Sequence, residues 1–162
     1  MRNLFLGLVL AFSMVACTVP ADYFEKVSSE VTSVVQAYNR FAETLSSPID
    51  SVKIVKMVDA YADAHSAANT SLKTLQGMSE CSGNDALRQS AVDFVSTYVS
   101  FYDNDFPPVM DAIKAGESGE YLENRVNSVK MDFAMRSAEK EKVFLDNMKA
   151  FMKEFDLYQS GF

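Results

Sequence analysis

The sequence predicts an all-α protein, an antiparallel up-down four-helix bundle whose third helix is kinked by proline. Two observations point there. Apolar residues recur at alternating steps of three and four along four long stretches, the spacing of helices packed side by side at shallow angles. Short segments rich in Ser, Pro and Gly separate the stretches, and no run alternates with the two-residue period of a strand.

The first stretch carries its seam on Phe24, Val27, Val31, Val34, Tyr38, Phe41 and Leu45. Asp22 is its expected N-cap, and Ser46-Ser47-Pro48 stops it. The second runs through Ile54, Val58, Tyr61, His65, Ala68, Leu72 and Leu75 and ends at Gly77, before the turn-like Ser79-Glu80-Cys81-Ser82-Gly83-Asn84. The third begins near Asp85, with Leu87, Ala91, Phe94, Tyr98 and Phe101 on the seam and Val92, Val95, Val99 and Tyr102 widening it. Pro107 and Pro108 remove two backbone donors and restrict Phe106, so a kink or break falls there, with a short helix continuing to Ala115. The fourth starts after Gly116–Glu120 on Leu122, Val126, Val129 and Phe133, lapses, and resumes at Phe144, Met148, Phe151 and Phe155. Phe133 to Phe144 is an eleven-residue step, three turns of helix, so the stripe returns to the same face and the helix is expected to run unbroken. Ala134, Ser137 and Ala138 fill the lapse and would let neighbouring helices approach closely.

The N-terminus reads differently. Arg2 is followed by the apolar run Leu4–Ala16, too short for a bilayer span of roughly twenty residues. A positive start, a short apolar core and a small-residue exit describe an export signal. Met14-Val15-Ala16-Cys17 resembles the bacterial lipobox, with Met14 in place of the usual leucine. The resemblance covers residues 1–17 alone. It implies that residues 1–16 are a signal peptide, that Cys17 carries lipid (palmitate among the acyl chains), that 17–21 is a tether and that 22–162 is the bundle domain. It also implies a lipid anchor on the extracytoplasmic side of a bacterial cell envelope, with Thr18 favouring the outer membrane. A plain secretory signal with an incidental cysteine is the competing reading.

Removing residues 1–16 leaves a single domain's worth of chain and, with Arg2 gone, takes the formal charge from −7 to −8. Such a chain has no basic cluster with which to grip nucleic acid, and anionic headgroups repel its folded part, leaving lipid at Cys17 as its link to the membrane. With Cys17 committed to lipid, Cys81 is expected to be an unremarkable loop thiol without an intramolecular partner.

Two candidate sites emerge. His65, the only histidine, occupies a seam position, and counting turns places it level with Tyr38, Tyr98 and Glu141, whose polar atoms would satisfy a buried imidazole. The alternatives are a haem or metal ligand, with Met148 opposite, or a pH-sensitive switch. Asp59 and Asp63 step along another face, and no Glu-x-x-His pairs with them, so neither a metal nor a cofactor is expected. The second is the aromatic stretch 98–108, where Tyr102 and Phe106, with Met110 beyond them, either pack beneath the connection or project as a partner-binding patch. No Gly-rich phosphate loop or Gly-x-Ser-x-Gly elbow is present, and no enzyme is expected. The expected function is that of a non-catalytic interaction or envelope-associated protein, partnered by the membrane and by an envelope protein. The alternative is a small-ligand carrier for haem or lipid in the core around His65.

Overall fold

A computed structural model describes residues 19–45 and 51–160, and within them the chain is mostly helical, with no strand among the described residues. The helices are α1 (Pro20–Thr44), α2 (Ser51–Gly77), α3 (Ala86–Ser100), α4 (Pro107–Lys114) and α5 (Glu120–Glu154). A π-helical turn, Phe101–Asp105, links α3 to α4, and a 3₁₀ turn, Leu157–Ser160, follows α5. The expected four-helix bundle is present, its third member built from α3, the π turn and α4. The expected signal peptide, Cys17 and the 46–50 connection lie outside the described residues.

Helix α1 begins earlier than Asp22 predicted. Pro20 sits in its first turn, where a missing N–H costs nothing and φ is already helical, so Asp22 falls inside the helix, as do residues 20 and 21 of the expected tether. Its seam is as expected, with Phe24, Val27, Val31, Val34, Phe41 and Leu45 buried. In α2 the buried line is Met57, Ala64, Ala68, Ser71 and Leu75, while Val58 is exposed and His65 and Leu72 only half-buried. The expected seam was therefore displaced by one residue at alternate positions. The buried line carries the small Ala64, Ala68 and Ser71, and side chains of that size let α2 pack closely on α1 and α3.

Helix α5 runs unbroken through the lapse, burying Leu122, Val126, Phe133, Phe144 and Phe151 along one face. Ala134 and Ala138 face solvent, so they do not bring a neighbouring helix close, which corrects that expectation. Around the bundle α1 packs on α2, α2 on α3 and α3 on α5, and the ring is barely closed between α5 and α1.

The two ends differ. At the end where the chain enters α1, Tyr23 and Phe24 stack on Phe151, and Asn84 donates to Glu154. Cys81–Asn84 is a two-residue reversal with paired backbone hydrogen bonds, and Ser82 and Gly83 both have positive φ, as such a turn requires. Arg88 grips Asp85 with two donors and reaches the Leu75 carbonyl, capping the C-terminus of α2. At the far end Phe106 packs between Phe41 and Tyr61, under the α4–α5 connection.

Candidate functional site

The π turn is where local sequence and packing conflict most. Within it the Phe106 N–H bonds to the Phe101 carbonyl, five residues back. The Tyr102 carbonyl would need the N–H of residue 107, and Pro107 has none. Tyr61 Oη supplies the missing donor from α2, at 2.5 Å. Two prolines thus free a backbone acceptor, and one tyrosine across the interface satisfies it.

His65 stands one turn beyond Tyr61. Its Nε2, shielded from water, lies 2.7 Å from Asp103 Oδ1 without the alignment of a hydrogen bond, and its ring packs on Tyr61 and Tyr102. Burial raises the hydroxyl pKa of Tyr61, and the neighbouring Asp103 charge raises it further. The Tyr102 hydroxyl is buried without a hydrogen-bond partner, and burial drives its pKa far up.

This corrects the site expected around His65. Tyr38 and Tyr98 do not reach it; they pair edge-to-face with each other at 5.5 Å and pack on Phe133. Glu141 is exposed on α5, acting on Tyr98 only as a nearby charge that adds to the effect of burial. Turn counting placed the levels well enough, but the displaced seam of α2 rotates His65 to the rim, toward Asp103 of the π turn. Asp103 was not singled out from the sequence, and the Pro-Pro pair that reshapes its backbone was the available signal.

The aromatic patch is corrected as well. Tyr102, Phe106 and Met110 are 1%, 0% and 5% exposed. Their side chains are core beneath the connection, because the π turn rotates both aromatics inward onto Phe41 and Tyr61. The distal end keeps a cleft of about 260 Å³ between Ile54, Ile113, Leu122 and the 116–119 turn.

Cys81 is buried and disulfide-bonded, which corrects the expectation of a partnerless loop thiol. No helix among the described residues is long and apolar enough to cross a membrane. Among the described residues no group of three or more His, Cys, Asp or Glu is placed to hold a metal ion.

Exposed apolar surface gathers elsewhere, on the outer side of α5. Tyr121, Met131 and Met135 are each about two-thirds exposed, the most open large apolar side chains described. Beside them Asp105, paired with Arg136, borders a shallow cleft of about 500 Å³ with Val129, Asp132 and Met135. A second groove of about 250 Å³ follows the loose α1–α5 seam, floored by Phe94 and Phe144, where the Ser28 hydroxyl is buried without a partner. Comparison with protein-family models, with curated proteins and with solved structures finds no match to this chain.

Proposed function

We propose that this chain is an exported, non-catalytic interaction protein held at a bacterial membrane surface by lipid on Cys17, and that it meets its partner through the outer face of α5. The observation that carries the reading is the grouping of Tyr121, Met131 and Met135 in the open on a single helix face of an otherwise well-buried fold. The anchor rests on the lipobox-like Met14–Cys17. Two or more acyl chains hold a protein on a bilayer stably where one does not. Against the carrier alternative, the space around His65 is filled by the rings of Tyr61 and Tyr102, at centroid distances of 6.0 and 5.8 Å.

The anchor requires a mature chain that starts at Cys17 and carries added acyl mass. Intact mass spectrometry of protein purified from its own envelope decides this. The expected species begins at Cys17 with acyl chains added. A cleaved but unacylated species overturns the anchor. Cys17→Ser is expected to move the protein out of the washed membrane fraction.

A further inference from the structure

We propose that the distal half of α5, residues 121–138, is a self-association face that pairs antiparallel with the same face of a second copy of this chain. This rests on the interaction reading above and names the partner. Opposite the buried face of α5, Tyr121, Asn124, Ser128, Met131, Met135 and Ala138 follow one another at steps of three and four, and all six are exposed. That is a second seam, on the side no helix of the bundle covers. The stripe holds no charge, and charged residues close it at either end, Glu117 one step before and Lys142 one step after.

Charge selects the occupant and its direction. Arg125 and Asp132 flank the stripe on one side, and neither enters an ion pair among the described residues. Pairing the stripe antiparallel with itself sets Tyr121 opposite Ala138 and Met131 opposite Ser128, large against small each time. It also brings Arg125 of each copy to Asp132 of the other, twice by symmetry. A parallel pairing gives Arg125 only Glu120 at the helix start, leaves Asp132 beside Asn127, and sets Lys142 against Lys142 where the stripe ends.

The arrangement has a consequence for the anchor. The stripe lies in the half of α5 remote from where the chain enters α1. Antiparallel overlap there leaves the two entry ends pointing apart, roughly 70 Å from one to the other at 1.5 Å per residue. Anchored copies would pair across two facing membrane surfaces, not side by side on one.

The test uses the Cys17→Ser chain, followed by sedimentation equilibrium up to about 1 mM, the weak end of measurable association. A monomer–dimer equilibrium is expected; a monomer throughout overturns the proposal. Met131→Glu with Met135→Glu is expected to abolish the dimer at an unchanged melting temperature, since both side chains are mostly in solvent. Arg125→Asp should weaken the dimer roughly tenfold, and Arg125→Asp with Asp132→Arg should restore it. Failure of that rescue overturns the antiparallel register. Spin labels at Lys149→Cys are expected about 60 Å apart across the dimer, and a short distance overturns the direction. A photo-crosslinker at Met135 in intact envelopes separates this inference from the interaction reading. Adducts to a different protein with no self-adduct sink self-association alone, and no adduct at all sinks both.

Discussion

Tyr61 and Tyr102 carry hydroxyls of opposite standing, although their rings pack together at 5.5 Å. The Tyr61 hydroxyl satisfies a carbonyl that proline has orphaned, whereas the Tyr102 hydroxyl is buried with no partner. Leaving a buried acceptor unpaired costs about 1–3 kcal/mol, while deleting a polar atom that has no partner costs little or stabilises. Tyr61→Phe is therefore expected to lower unfolding free energy by about 1–3 kcal/mol, and Tyr102→Phe to leave it unchanged or raise it. Urea denaturation compares them directly. An equal loss from both would mean that the Tyr102 hydroxyl is bonded in solution. Phe106, fully buried, should cost about 3–5 kcal/mol on truncation to Ala, as a core ring does.

Among the elements, α2 and the π turn were the least predictable. Two candidate seams on α2 lie one residue, or about 100°, apart, and each has apolar residues at helical spacing. Close packing on α1 and α3 chose the one with small side chains. Ala68→Leu is expected to overpack that interface and lose about 1–3 kcal/mol, while Val58→Ser, on the rejected seam, should stay within about 0.5 kcal/mol of the native protein. Reversed magnitudes would return the seam to Val58, His65 and Leu72. At the π turn, Pro107→Ala restores an N–H that the Tyr102 carbonyl can accept. The penalty of Tyr61→Phe should therefore shrink in that background, and a double-mutant cycle on denaturation free energies reads the coupling. Additive penalties would show that the two groups do not share this acceptor.

At the scale of the whole molecule, the aromatic core sets the response to alkali. Tyr23, Tyr38, Tyr61, Tyr98 and Tyr102 all have hydroxyl pKa values raised above 10.0, chiefly by burial. Above about pH 10 the unfolded chain has released protons that the folded one still holds. The stability these groups contribute is full below that pH and drains away as pH rises toward their folded values. Alkaline unfolding is expected to be cooperative, with tyrosinate absorbance and loss of helical circular dichroism moving together. Ionisation of the buried tyrosines well before the helices melt would contradict their burial.

The sequence by itself determined the all-α class, the positions of the helices to within a turn, the core lines of α1, α3 and α5, and the continuity of α5 across its eleven-residue lapse. These follow from periodicity, which depends on each helix alone. Tertiary structure decided which of two adjacent stripes on α2 faces inward, that Tyr102 and Phe106 turn into the core, and that His65 meets Asp103 in place of Tyr38, Tyr98 and Glu141. Those outcomes depend on the volumes that neighbouring helices present to one another and on a backbone register changed at Pro107 and Pro108. A periodic pattern gives the angle of a side chain about its own axis, but only the packed neighbour says whether that angle is inside or out.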